Sequence, residues 1–238
     1  MNIRIDKFLG NMGIGTRTEI KKYIKQKLIM VDGEIIKSSS IKIDTDVNEV
    51  RFNNRIIEFR DKVYLMMNKP QEVISATYDN MHETVIDLLD EDYHHFDLFP
   101  MGRLDIDTEG LLILTNDGKL SHRVLSPKHH VNKTYYAEVD GQVLDEHIEI
   151  FEEGIDLEDF TTQPATLQII HSEEGYSEVH ITISEGKFHQ VKRMVNAIGM
   201  NVTYLKRLKM GGLELDETLE LGEYRELEEA EIKMLLGE

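Results

Sequence analysis

Apolar residues recur at helical spacing in the first part of the chain. Residues 5–12 carry them at intervals of three and four, which predicts a short amphipathic helix ended by Gly13 and Gly15. The segment Thr16-Arg17-Thr18-Glu19 has the form of a capping box and predicts the start of a second helix. The predicted buried stripes are Ile5, Phe8, Leu9 and Met12 in the first helix, and Ile20, Tyr23, Ile24 and Leu28 in the second.

A hairpin is predicted after the second helix. Two apolar runs in LIMVDGEII (28–36) are joined by Asp32-Gly33, a dipeptide typical of a two-residue hairpin turn. These elements together predict a compact N-terminal domain of two helices and a small sheet, ending near residue 58. Cationic residues on the second helix fall largely outside its apolar stripe and would form a basic surface: Arg17, Lys21, Lys22 and Lys25.

The remainder of the chain has mainly the pattern of strands. Apolar or alternating runs predict strands at 63–70, 111–115, 133–141, 165–170 and 177–184. One helix is predicted over 188–199, with Phe188, Val191, Val195 and Ile198 on its buried side and Gly199 at its end, and another over 228–236. Many strands with few helices indicate the α+β class. After a linker at 59–62 we therefore expect a second domain, 63–238, with a mostly antiparallel mixed sheet and flanking helices.

Composition narrows the class of protein. The chain has 238 residues, 40% of them hydrophobic, which suffices for two domains with buried cores. It has no cysteine, which excludes disulfides and thiolate zinc sites. No stretch has the length and apolar character of a secretory signal or a membrane span, so we expect a cytoplasmic protein.

Charge is distributed unevenly along the chain. The net charge is −18, but residues 1–60 contain 12 Lys/Arg and 8 Asp/Glu, a net of +4, and the rest contain 15 and 37, a net of −22. An acidic protein can simply have one less acidic end. The alternative interpretation is that the basic domain contacts phosphate groups while the acidic domain has another task.

Two aspartates stand directly before a predicted strand, in GRLDIDTEGLLILTNDG (102–118). In an extended backbone Asp105 and Asp107 would point to the same side. A polar loop whose aspartates accept backbone hydrogen bonds is the ordinary interpretation. Metal binding and acid–base chemistry are the alternatives, and the pair alone does not decide among them.

A half-buried lysine is predicted on the helix at 188–199. At about 100° per residue, Lys192 falls at the border of the buried stripe, whereas Arg193 points toward solvent or phosphate. A half-buried ammonium needs a negative partner, and the Asp105 carboxylate would serve. The alternative is that Lys192 only lays its aliphatic stem along the helix.

Two known families match these motifs. Residues 1–58 resemble the S4 domain, an RNA-binding module, and this resemblance implies that Arg17, Lys21, Lys22 and Lys25 contact RNA phosphates. MGRLDIDTEGLLILTNDG, SPKHHVNKTYYAEV and ISEGKFHQVKRM, in this order, resemble the RsuA branch of the pseudouridine synthases. That branch also places an S4 domain before its catalytic domain. The segments DIDT and SPKHH-x-x-KTYY favour enzymes that act on 16S ribosomal RNA, where uridine 516 is the expected target.

The resemblance assigns roles to single residues. Asp105 matches the essential aspartate of the Gly-Arg-Leu-Asp motif, and Tyr135 matches the tyrosine that packs against the target base. Lys192 matches the basic residue that pairs with the aspartate, where other branches usually have arginine. Arg103 is expected to hold RNA or the extruded nucleotide. Asp107 is assigned a structural role.

The implied reaction breaks the bond between ribose C1′ and uracil N1, turns the base, and joins its C5 to the same sugar. No redox change or energy source is involved, so no cofactor is expected. The Asp105 carboxylate acts either as a nucleophile or by stabilising an elimination. Base extrusion costs a few kcal/mol. Tyr135 would hold the extruded base, and a pocket built partly from 111–115 would exclude water.

Further residues are expected along the RNA path. His129, His130, Lys128 and Lys133 lie close together in sequence, and Arg193 is expected to face phosphate. The adjacent pairs at 94–95 and 129–130 lack the spacing of metal ligands, so no metal site is expected.

The expected partner is 16S ribosomal RNA or an assembling small ribosomal subunit, with no membrane and no small-molecule cofactor, and the protein is expected to be a monomer. Three alternatives stay open at this stage. They are the same reaction on 23S ribosomal RNA, a non-catalytic S4 adaptor, and a hydrolase that releases uracil. The hydrolase would need a second catalytic carboxylate, and no motif indicates one.

Overall fold

The computed structural model describes residues 1–126 and 129–236. The chain divides into two compact units, Met1–Val63 with Leu89–Leu98, and Tyr64–Leu88 with Phe99–Glu238. Among the described residues, no helix combines the length and apolar character needed to cross a membrane.

The N-terminal unit contains two helices and short strands. Its elements are β1 (Asn2–Arg4), α1 (Ile5–Asn11), α2 (Arg17–Lys25), β2 (Ile29–Val31), β3 (Glu34–Ile35), β4 (Lys42–Asp44), β5 (Val50–Phe52) and β6 (Arg55–Ile56). Strands β1 and β4 form one small sheet, and a second has the order β3-β2-β5-β6. The 3₁₀ helix Glu91–Phe96 also belongs to this unit, where the Arg60 guanidinium lies 5.5 Å from the centre of the Phe96 ring.

The helix start, the hairpin turn and the buried helix faces of this unit form where the sequence predicts them. The Thr16 hydroxyl accepts a hydrogen bond from the Glu19 amide, and the Glu19 carboxylate accepts one from the Thr16 amide, which together form the capping box of α2. Asp32 and Gly33 have φ of 51° and 81° and connect β2 to β3, as expected for the predicted hairpin. The predicted helix faces supply fully or almost fully buried core residues: Ile5, Phe8, Leu9 and Ile20.

The second unit is built on a nine-stranded sheet. Its elements are β7 (Tyr64–Lys69), β8 (Phe99–Pro100), β9 (Glu109–Thr115), α3 (Gly118–Leu125), β10 (Lys133–Val139), α4 (Asp145–Glu153), β11 (Asp156–Leu157), β12 (Phe160–Thr161), β13 (Thr166–Glu173), β14 (Tyr176–Ile183), α5 (Gln190–Ala197), β15 (Val202–Met210), β16 (Leu213–Glu214), β17 (Tyr224–Glu226) and α6 (Glu229–Met234). The main strand order is β13-β14-β10-β15-β9-β7-β17, with β16 on β15 and β8 on β9. All pairs are antiparallel except β15 with β9.

The α+β fold and each predicted strand are confirmed. The sequence pattern does not predict α3, α4 and the long strand β15, nor the strands of two or three residues in this unit: β8, β11, β12, β16 and β17. One predicted face is wrong. Phe188 lies outside α5 and is 75% exposed, because His189 has a left-handed backbone (φ 50°) and the helix begins only at Gln190.

The parallel contact between β9 and β15 depends on a glycine. Gly110 has φ of 101°, and a Cβ atom there would lie 2.3 Å from the carbonyl oxygen of Arg207. Only a residue without a side chain allows the two backbones to approach this closely. Gly110 therefore determines where β15, and with it Arg207, can lie in the sheet.

Candidate active site

A cavity of about 720 Å³ lies in the second unit at the predicted catalytic residues. Its wall comes from the loop before β9, the inward face of β10 and β15, and the segment from β14 into α5. Asp105, Tyr135 and Lys192 all line it. The structure thus brings together three residues that lie far apart in sequence.

The loop that carries Asp105 is fixed from both sides. The buried Ser75 hydroxyl accepts a hydrogen bond from the Leu104 amide and donates one to the Leu104 carbonyl oxygen, both at 3.0 Å. The Asp105 carbonyl accepts a hydrogen bond from the Thr108 amide at 3.1 Å, which closes a turn. Asp105 and Asp107 therefore lie in a turn, and not in the extended backbone that would point their side chains to the same side. The Asp105 side chain, 29% exposed, faces the cavity.

A buried ammonium holds the same turn from below. Lys69, at the end of β7, is fully buried and donates hydrogen bonds to the carbonyls of Pro70, Asp105 and Thr108 at 2.9, 3.1 and 3.0 Å. Burial lowers the pKa of Lys69 to about 8, although the nearby carboxylates oppose this shift. Lys69 therefore positions the backbone of Asp105 without contacting its carboxylate.

Two basic side chains from the start of α5 approach the Asp105 carboxylate. The Lys192 ammonium lies 3.3 Å from Asp105 and 2.6 Å from the more exposed Asp107. Partial burial raises the pKa of Asp107, but the hydrogen bond and charge of Lys192 outweigh this effect, and the net pKa is lowered. Nε2 of His189 lies 3.5 Å from the other Asp105 oxygen. Lys192 therefore bridges both aspartates, so Asp107 belongs to the ion-pair cluster.

Tyr135 lies on the inward face of β10, between two buried cations. Lys133 is two residues earlier on the same face, and Arg207 is directly opposite Tyr135 on β15. The Arg207 Nε donates a hydrogen bond to the Leu111 carbonyl at 2.7 Å. Burial, with a further contribution from Arg207, lowers the pKa of Lys133 to about 8. The cavity therefore has a carboxylate on one wall and an aromatic ring with two cations on another.

This combination of residues agrees with comparisons to known proteins. The family model described as RNA pseudouridylate synthase matches residues 63–197, more than half of the chain. The chain belongs to the RNA pseudouridylate synthase family. An S4 domain model matches residues 3–47, so this synthase has the domain order of the RsuA branch, and the predicted family resemblance is confirmed.

Individual relatives cover almost the whole synthase. An uncharacterized RNA pseudouridine synthase of Bacillus subtilis is 47% identical, with 98% of each chain covered. Ribosomal small subunit pseudouridine synthase A of Escherichia coli K12 is 40% identical, with 97% of this chain and 98% of the relative covered. A crystal structure of a pseudouridylate synthase, 39% identical, matches with a TM-score of 0.68 and covers 98% of this chain and 99% of that chain.

The residues predicted to contact RNA occupy different places in the synthase. Arg103, His130 and Lys133 line the cavity, whereas His129 is exposed and does not line it. Lys128 lies outside the described residues. Arg193 forms an ion pair with Asp159, so its charge is already partnered. The exposed cations of α2, here called the α2 basic face, all belong to the N-terminal unit: Arg17, Lys21, Lys22 and Lys25.

The lining of the cavity differs from the sequence interpretation. The side chains of 111–114 have no exposed surface and belong to the core, so this run is not the floor of the cavity. Its apolar lining includes Leu104, Ile183, Val191 and Leu205 instead. In the two described ranges, no three side chains from His, Asp and Glu come together in an arrangement that could hold a metal ion.

Sequence reasoning missed several residues of this synthase site. The roles of Lys69, His189 and Arg207 were not predicted, and Phe188 was expected to be buried although it is exposed at the cavity. A lysine at the end of an otherwise apolar run was the available signal for Lys69. The position of His189 in the predicted helix, three residues before Lys192, was the signal for a second partner of Asp105.

Proposed function

We propose that this synthase isomerises a uridine of 16S ribosomal RNA, with uridine 516 as the target and Asp105 as the essential carboxylate. The observation that carries the catalytic assignment is the position of Asp105, whose carboxylate faces the cavity between Lys192 and His189 at 3.3 and 3.5 Å. The names of the Escherichia coli and Yersinia pestis relatives, at 40% and 41% identity, support small-subunit RNA as the substrate.

The chemistry follows from this placement. A uridine extruded from its stack would enter the cavity with its base against Tyr135 and its ribose toward Asp105. The Lys192 ammonium stabilises the ionised carboxylate. That carboxylate can then attack C1′ or stabilise positive charge at the ribose during an elimination, and both routes break the same C1′–N1 bond. The uracil is retained in the cavity and bonded again through C5.

The test of Asp105 uses ribosomal RNA tritiated at uridine C5. Pseudouridine formation replaces the C5–H bond, so the wild-type enzyme should release tritium to water. Asp105→Asn keeps the size of the side chain and removes its charge, and it should abolish release while RNA affinity changes little. Asp145→Asn, at the start of α4 and outside the cavity, is the matched control and should keep wild-type turnover. Wild-type turnover in Asp105→Asn would refute the assignment.

The target is tested in cells. Pseudouridines are mapped in both ribosomal RNAs from cells with and without this gene. Loss of one modification at uridine 516 of 16S RNA is the expected result. Loss of a modification in 23S RNA would overturn the proposed substrate and leave the reaction class intact. Assays on naked RNA and on assembling subunits would establish which form is used.

The proposed division of labour follows the charges. Residues 1–58 would bind RNA through the α2 basic face, and residues 63–238 would carry out the reaction. Arg103 and His130 line the cavity and would contact the nucleotides next to the target, with Lys128, His129 and Arg193 further along the RNA. The enzyme is expected to act as a monomer, which sedimentation of the enzyme with and without RNA would test.

A further inference from the structure

Lys133 is a buried cation in the wall of the active-site cavity. Its side chain is only 6% exposed. Throughout the described part of the chain, its ammonium has no hydrogen-bond or ion-pair partner. Glu185 acts on it electrostatically, but one oxygen of Glu185 already accepts hydrogen bonds from Gln163 and Gln190. An ammonium buried in this way is costly unless a ligand compensates it.

A second cation reinforces this charge. Arg207 is 3% exposed, and its Nη2 has no hydrogen-bond partner among the residues that the structure describes. Its charge contributes to lowering the pKa of Lys133, so the two cations act on each other. Both residues line the cavity, but Nη2 of Arg207 is buried, so Arg207 contributes mainly through its charge. The two residues together make this wall strongly attractive to negative charge.

The two cations flank the proposed position of the base. Lys133 and Tyr135 share one face of β10, and Arg207 is paired with Tyr135 across β15. A uracil packed against the Tyr135 ring would therefore place its carbonyl oxygens near the Lys133 ammonium.

A backbone phosphate is a poor match for the same position. The ribose–phosphate chain continues on both sides of the target nucleotide and must stay at the mouth of the cavity. Only the extruded base can reach side chains that are 6% and 3% exposed. Exposed rim cations such as Arg103 are better placed for phosphate.

We propose that Lys133 is a further catalytic residue, which stabilises the negative charge that develops on uracil when its bond to the ribose breaks, with Arg207 supplying a second positive charge from the same wall. This inference rests on the proposed function. The C1′–N1 electron pair leaves with the base and gives a uracil anion, whose charge spreads over N1 and the two carbonyl oxygens. The ammonium donates a hydrogen bond to one of these oxygens while the base turns.

The remaining steps balance without another reactant. C5 uses an electron pair of the anion to form the C5–C1′ bond. The C5 proton then passes to solvent, and N1 takes up a proton. The product is an isomer of the substrate, and Lys133 ends the cycle still protonated.

The first test compares variants of the full-length enzyme under single-turnover conditions. Lys133→Met keeps the length of the side chain and removes its charge, and it should lower the rate about 100-fold while the Kd for RNA changes less than threefold. Lys133→Arg keeps the charge and should recover much of this loss. Lys119→Met, an exposed lysine in α3 outside the cavity, is the matched control and should match the wild type. Circular dichroism melts establish that each variant is folded.

A second substrate distinguishes stabilisation of the uracil anion from a role in loss of the C5 proton and from a phosphate contact. With 5-fluorouridine at the target, fluorine cannot leave C5 as a cation, so the reaction stops after the C5–C1′ bond forms, and mass spectrometry follows the rearranged nucleotide. Lys133→Met should slow this rearrangement as well. If Lys133→Met rearranged 5-fluorouridine at the wild-type rate, the proposal would be overturned, because Lys133 would then act only in the loss of the C5 proton. If Lys133→Met raised the Kd for RNA and left the single-turnover rate unchanged, the proposal would also be overturned, because Lys133 would then act as a phosphate contact. Tritium release by the wild type tests the proposed function separately.

Discussion

Replacing Gly110 by alanine tests the close backbone approach between β9 and β15 in the second unit. The new Cβ would lie 2.3 Å from the carbonyl oxygen and 2.8 Å from the amide nitrogen of Arg207, where 3.4 Å is an ordinary contact. Strand β15 would have to retreat by about 1 Å, because both atoms belong to the backbone and cannot rotate away.

The expected cost combines two effects. Alanine at a φ of 101° is strained by about 1–3 kcal/mol, and the clash adds about 1–3 kcal/mol. The sum, roughly 4 kcal/mol, is a large part of the 5–15 kcal/mol by which a typical domain is stable. Urea unfolding followed by circular dichroism should therefore show a much lower midpoint, and the remaining folded enzyme should turn over more slowly because Arg207 is displaced.

Two other glycines separate these effects. Gly175 has a φ of 81° but open space around it, so Gly175→Ala should cost only the backbone strain, about 1–2 kcal/mol. Gly118, at the start of α3, has neither positive φ nor close neighbours, and Gly118→Ala should leave stability unchanged or slightly raised. If Gly110→Ala were no more destabilising than Gly175→Ala, the reasoning about the close approach would be refuted.

Further predictions concern charge. Lys192→Met removes the partner of Asp105 and should lower tritium release about 100-fold, whereas Asp107→Asn should cost less than about 10-fold; equal losses would contradict the assignment of Asp105 as the reactive carboxylate. Replacing the α2 basic face by glutamines should weaken RNA binding and reduce the slope of log K against log salt by roughly 3, with no change in rate at saturating RNA; an unchanged slope would remove this surface from the RNA path. Burial lowers the pKa of Lys133 from 10.5 to about 8. The positive charge of Lys133 therefore destabilises the folded state most strongly below pH 8, and this effect is gone above pH 10.5, where the side chain is neutral in both the folded and the unfolded state. After allowance for solvent screening, Lys133→Met should thus be about 1–2 kcal/mol more stable than wild type at pH 7, an advantage that urea unfolding should show disappearing by pH 10.5.

Features encoded by neighbouring residues could be predicted from the sequence. The capping box at Thr16 and Glu19 and the hairpin turn at Asp32-Gly33 involve partners within three residues of each other, so their residue types suffice. The predicted roles of Asp105, Tyr135 and Lys192 came from family motifs, and the structure added that all three line one cavity.

Features that depend on distant or buried polar partners could not be predicted. Strand β15 was missed because Arg207 occupies an inward position where alternation requires an apolar residue, and its hydrogen-bond partner, the carbonyl of Leu111, is 96 residues away. Lys69 donates hydrogen bonds to backbone carbonyls 36 and 39 residues away. Every residue has a backbone carbonyl, so the sequence does not show which ones will accept these bonds. The predicted helix begins at residue 188, two residues before α5, because the left-handed backbone of His189 leaves no trace in the helical periodicity of the sequence.

The position of β15 also bears on how the chain folds during synthesis. This strand lies between β10 and β9, so it joins the half of the sheet made by β13, β14 and β10 to the half made by β9, β7 and β17. It is formed by residues 202–210, near the end of the chain. A nascent polypeptide that has emerged only as far as residue 200 would carry Asp105, Tyr135 and Lys192 and still lack the strand that joins the two halves. Closure of the catalytic sheet must therefore be a late event, dominated by contacts between distant segments and correspondingly slow.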